Sequence, residues 1–175
     1  MRNIKAPMLT LLGALALTSV VEGHSISDEF ANGFGGVAWG TNYDDLTRHF
    51  PGGYQVFSTH SGGLAYVVNI EDPVLGLRRP GLYVSFAMNP DRLIDAIQIQ
   101  IPYDQVQPII ATISAKFGPA IGPQVHGVVS EYHWPTDQGM ALSVRFSSGG
   151  KVGLASLDIF RPMPKKTAPG AAKPR

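Results

Sequence analysis

The chain has 175 residues, 14 Lys and Arg against 13 Asp and Glu, and 44% hydrophobic residues, enough to build an ordinary core in one domain or two small fused halves. It contains no cysteine, which excludes disulfides, thiol chemistry and lipid attachment at a cysteine. The formal net charge of +1 conceals an asymmetry: residues 24–163 hold 8 basic and 12 acidic side chains, a net of −4, whereas residues 164–175 hold four basic and none acidic. An acidic body without basic residues interleaved with aromatics argues against nucleic-acid binding.

Residues 1–23 read as a secretory signal peptide. Arg2 and Lys5 form a positive start, and residues 8–21 form an uncharged run of 14 that ends at Glu22. A membrane-spanning helix needs roughly 20 apolar residues, so no stable membrane span is expected and the mature chain would begin at His24. Its location is then periplasmic or secreted. The Pro-, Ala- and Lys-rich residues 164–175 read as a disordered basic tail.

Between these ends, Gly33-Phe34-Gly35-Gly36 leads into a short apolar stretch, Val37-Ala38-Trp39. Thr41 and Asp44 suggest a capping box opening a helix, with Tyr43, Leu46 and Phe50 on one face and Pro51-Gly52-Gly53 as its stop. Strands are expected over 54–58, 64–70 and 82–88. The order then restarts. Residues 93–101 alternate Ile97, Ile99 and Ile101 with Gln98 and Gln100, which implies one buried and one wet face. A helix over 104–117 carries Val106, Ile109 or Ile110, Ile113 and Phe117 on one stripe, and strands follow over 125–134, 140–147 and 152–160. The expected fold is α+β: two tandem strand-helix-three-strand units (33–88 and 91–163) forming an antiparallel sheet with helices packed on one face.

The run Gly36-Val37-Ala38-Trp39-Gly40-Thr41-Asn42-Tyr43-Asp44-Asp45-Leu46, closed by Phe50-Pro51, resembles the opening of a helix-then-sheet repeat found in beta-lactamase-inhibitor-like proteins and in small outer-membrane assembly lipoproteins. The chain departs from both branches, having neither a lipidated cysteine nor a disulfide pair. What the resemblance implies is an architecture that often binds other proteins.

No nucleophile elbow, zinc-protease helix or phosphate-binding glycine loop is present, and no cofactor is expected. Asp44-Asp45 and Glu71-Asp72 are the acidic pairs, and they suit a helix start and a turn. A terminal His24 would offer its imidazole and α-amine to a metal ion, with Glu131 and His133, which share a strand face, as further ligands. Tyr132 and Trp134 occupy the opposite face of that strand, so one of the two sets is wet. Trp39, Tyr132 and Trp134 are the aromatic candidates for partner binding, and Arg78-Arg79 form a basic loop that could meet an acidic partner. The expected function is that of an exported non-enzymatic protein binding another envelope or secreted protein, as an inhibitor or immunity-type partner of an envelope enzyme. A periplasmic metal-binding protein and a cell-wall hydrolase stand as alternatives.

Overall fold

The computed structural model describes residues 24–58, 63–71, 74–75, 82–147 and 155–161. The expected signal segment, the expected basic tail, Arg78, Arg79 and the start of the strand expected from residue 152 lie outside them. Helices α1 (Ile26–Phe30) and α2 (Tyr43–His49) precede strands β1 (Tyr54–Ser58), β2 (Gly63–Ile70), β3 (Leu82–Met88) and β4 (Ile94–Ile101). A 3-10 turn (Tyr103–Gln105) opens α3 (Val106–Phe117), followed by β5 (Ile121–His126), β6 (Val129–Asp137), β7 (Met140–Ser147) and β8 (Ala155–Phe160).

This overturns the expected fold class. The eight strands form one antiparallel sheet in the order β1-β2-β3-β4-β8-β7-β6-β5, not the sheet of two tandem units. Strands take 52% of the described residues and helices 23%, only two helices reach seven residues, and the helices do not pack as a layer on a face. The physical reason is the join. The Asn89 amide donates to the Leu93 carbonyl (3.0 Å) and the Leu93 amide to the Asn89 side chain (3.0 Å), a tight turn that pairs β3 directly with β4. The last strand, β8, then inserts beside β4, so the ladder satisfies backbone groups continuously across both halves.

Three local expectations also change. Residues 125–134 form no single strand, because Gly127 adopts φ +62° and folds the segment into the β5–β6 hairpin. The stretch after Gly33 is not a sheet strand: Phe34 and Val37 bond to each other around a turn in which Gly35 and Gly36 have positive φ. The cap of α2 is Asn42, not Thr41; its Oδ1 accepts from the Asp45 amide (2.9 Å) and its Nδ2 donates to the Asp45 carboxylate (2.9 Å).

Period-two alternation gives the sheet two unlike faces. On one, successive strands align Tyr66, Phe86, Ile97, Ile159, Leu142 and Trp134 in one row, and Val68, Val84, Ile99, Leu157, Val144 and Tyr132 in the next. These residues join one apolar cluster with Ile26, Phe30, Leu46, Ile109 and Ile113, and with loop side chains such as Phe34, Val37 and Trp39. Side chains of the helices and loops contribute to this apolar cluster, which makes it the sealed face. On the other face the aligned rows read Val67, Ser85, Gln98, Asp158, Ser143, His133 and, beside it, Ala65, Ala87, Ala96, Phe160, Ala141.

Candidate functional site

The polar face carries a side-chain hydrogen-bond network at the sheet's centre. Asp158 on β8 is 1% exposed, a placement a carboxylate tolerates only when its oxygens are satisfied. Three side chains satisfy it: Gln98 Nε2 donates to Oδ1 (2.9 Å), while Arg145 Nε (2.8 Å) and Ser156 Oγ (2.9 Å) donate to Oδ2. Each donor comes from a position that strand pairing fixes. Gln98 and Ser143 flank Asp158 on the neighbouring strands, and Arg145 and Ser156 face each other one step along. The hydrogen bond from Arg145 to Asp158 raises the guanidinium pKa further above its ordinary value, against the opposing effect of burial.

Beside this network the face hollows into a depression of about 450 Å³, lined by strand residues: Tyr54 and Val56 from β1, Val67 from β2, Tyr83 and Ser85 from β3, Gln98 and Gln100 from β4, and Ala155 and Ser156 from β8. That is the size of an ordinary small-ligand pocket. Tyr54 (54% exposed) and Tyr83 (48%) present their rings to solvent. Among the described residues no charged side chain lines the depression.

The residues singled out in the sequence fall elsewhere. Trp134 is 1% exposed, and its indole N–H donates to the Gly118 carbonyl (3.0 Å), so it packs inside the sealed face. Tyr132 lies on the same side, stacked on Phe146 at 6.2 Å between centroids. Burial of Trp134 settles which side of β6 is wet: it is the side bearing Glu131 and His133. Trp39 is half-buried against the core, and its indole donates to the Phe30 carbonyl (2.6 Å). Glu131 pairs across the ladder with Arg145, and His133 with Ser143 and Ile121. His24 sits exposed ahead of α1. Among the described residues no group of three or more His, Asp or Glu side chains is placed to hold a metal ion.

Two arrangements that could suggest hydrolysis do different work. His133, Ser143 and Asp158 occupy one cross-strand row, but Ser143 stands between the other two. A nucleophilic serine needs the histidine between it and the acid. Ser143 is 4% exposed, and its hydroxyl has no hydrogen-bond partner among the described residues. Asp44 and Asp45 lie in the first turn of α2, where Asp45 also pairs with Arg48.

Comparisons with protein-family models, curated proteins and solved structures return no match. Among the described residues no helix is long and apolar enough to cross a membrane. The residues that build the depression were visible only in part: the alternation around Gln98 and Gln100 announces a wet face, but its neighbours depend on strand order. Tyr54 and Tyr83 stand in recognisable strands, yet nothing in their spacing shows that they flank one hollow.

Proposed function

We propose that this chain is an exported, non-enzymatic binding protein and that the open face of its sheet recognises another macromolecule of the envelope or secreted space. One observation carries the reading: two tyrosines about half exposed flank a depression lined, among the described residues, by strand positions. Aromatic side chains held at a surface by a rigid sheet are what recognition surfaces use, because they bring large contact area at low cost in side-chain entropy. The signal-like residues 1–23 support export. The resemblance of residues 36–51 to inhibitor-type repeats supports a protein as the partner, an envelope enzyme being one such target.

The test is affinity capture from envelope extract with the full chain and with the double variant Tyr54→Ser/Tyr83→Ser, read by quantitative mass spectrometry. The expected result is a partner retained in stoichiometric amount by the native chain and depleted at least tenfold by the variant. Equal retention by both, or retention of nothing, overturns the proposal.

A further inference from the structure

We infer that strand β1 takes up an extended peptide segment of the partner as a further strand of the sheet, an assignment that rests on the chain being a binding protein whose recognition surface includes Tyr54. The sheet has two edges, β1 and β5, and they are built differently. Strand β5 carries devices that stop strand addition. Its ladder to β6 shifts register between Ile121 and Gln124, and within that shift Pro123 has no amide hydrogen to offer. Strand β1 carries none of them: Tyr54-Gln55-Val56-Phe57-Ser58 contains no charged residue, proline or glycine, and each of its residues pairs with β2 in unbroken register. Its start is also pinned. The Gly53 amide (3.2 Å) and the Tyr66 hydroxyl (2.7 Å) both donate to the Phe50 carbonyl, and the Tyr66 ring lies so close to Gly53 that no Cβ would fit there. An edge fixed in this way loses little freedom when a partner pairs with it.

A strand in an antiparallel ladder directs the N–H and C=O of successive residues alternately to its two sides. On one side of β1 stands β2, and among the described residues no strand stands on the other. Every second residue of β1 therefore offers outward one donor and one acceptor. Another polypeptide backbone repeats donors and acceptors at that spacing, whereas an ion or a sugar has no such repeat. Side chains then set which peptide fits, because those of an added strand alternate between the faces. On the open face they meet Tyr54 and Val56, which line the β1 side of the depression, and on the other face they meet Phe57, which is 74% exposed. These neighbours call for an uncharged segment carrying aromatic or β-branched side chains. A second copy of the chain fits less well. A standard stable interface takes about 20–30 residues a side, whereas β1 offers five. Residues 24–163 also carry 8 basic and 12 acidic side chains, and that net charge of −4 opposes association of two copies.

The probe is a displayed library of random peptides of about eight residues, selected on the full chain, with the enriched peptides then synthesised and titrated calorimetrically. The expected result is an uncharged peptide with apolar residues at alternate positions. Its binding should be lost when one alternate set of its amides is N-methylated and kept when the other set is, because an added strand bonds the edge through every second residue. On binding, amides of β1 should gain protection from hydrogen exchange and those of β5 should not. Phe57→Lys, at an exposed position on the side of β1 away from Tyr54, should weaken binding about tenfold or more, while Val125→Lys on β5 leaves it unchanged, with the fold monitored by circular dichroism. No enriched peptide, equal effects of the two N-methylated sets, or equal affinity for Phe57→Lys overturns the inference. So does a dimer of the chain that Phe57→Lys dissolves, which would give the edge to a second copy. If Tyr54→Ser/Tyr83→Ser depletes the protein captured from envelope extract and Phe57→Lys does not, strand addition alone fails. If neither variant depletes it, the open face is not the recognition surface.

Discussion

The two faces of the sheet are made by the same strands and differ in how they achieve burial. The sealed face uses volume: Phe86, Ile97, Ile99, Leu142, Leu157, Ile159 and Trp134 are almost wholly buried in one large apolar cluster. The open face buries its centre with small residues and with a polar network, Ala65, Ala87 and Ala96 at one end and Asp158 with its three donors in the middle. Dispersion and the hydrophobic effect are non-directional, so the sealed face specifies stability more than any one geometry. Hydrogen bonds to a buried carboxylate are directional, and they leave Gln98 and Ser156 oriented.

The largest effect expected of breaking this contrast is on the sealed side. Trp134→Ala removes a wholly buried indole and strips the Gly118 carbonyl of its donor, and should cost about 3–5 kcal/mol in chemical denaturation. Trp134→Phe, which keeps most of the volume, should recover the greater part of that loss. On the open side, Asp158→Ala removes no large apolar volume but leaves Arg145, Gln98 and Ser156 without their shared acceptor. A loss of about 2–3 kcal/mol is expected, moderated because Arg145 retains access to water. A cost for Asp158→Ala equal to that of Trp134→Ala would mean that the open face bears as much of the fold as the sealed one.

The contrast between the faces was half legible in the sequence. Ile97, Ile99 and Ile101 against Gln98 and Gln100 suffice to place β4 and give it a wet side, and the strands 54–58, 82–88 and 140–147 appear where their residues alternate. Pairing is where local pattern ends. Gln98 meets Asp158 across 60 residues of chain because β8 inserts beside β4, and no local periodicity encodes that neighbour. The β5–β6 hairpin was hidden for a different reason: Val125, Val128 and Val129 read as one β-branched run, and Gly127 alone marks the reversal. On β6 the period fixes that Tyr132 and Trp134 oppose Glu131 and His133. Which pair faces water depends on what packs against the strand, and here Gly118 and Phe146 receive the aromatics.

The seal itself has a pH-sensitive seam. Helix α1 contributes Ile26 and Phe30 to the apolar cluster, and its start is tied to the end of β6 through Asp137. The Ser27 amide (3.0 Å), the Ser27 hydroxyl (2.7 Å) and the Ser25 hydroxyl all donate to one Asp137 oxygen. These bonds, that from Ser25 foremost, lower the Asp137 pKa below its ordinary 3.8. A carboxylate with a depressed folded-state pKa binds fewer protons folded than unfolded. Its stabilising contribution is therefore complete above the ordinary value and disappears as the pH falls through the lowered one. Acidification from pH 5 toward pH 2 should thus lower the protection of the Ser27 amide, the slowing of its exchange relative to an unstructured amide at the same pH, before the sheet amides lose theirs, as followed by NMR, while Asp137→Asn should already show the lowered protection at pH 7 and little further change on acidification. Protection at Ser27 that falls only together with that of the β4 and β8 amides would show that α1 has no separate seam, and that its contact opens only when the whole sheet does.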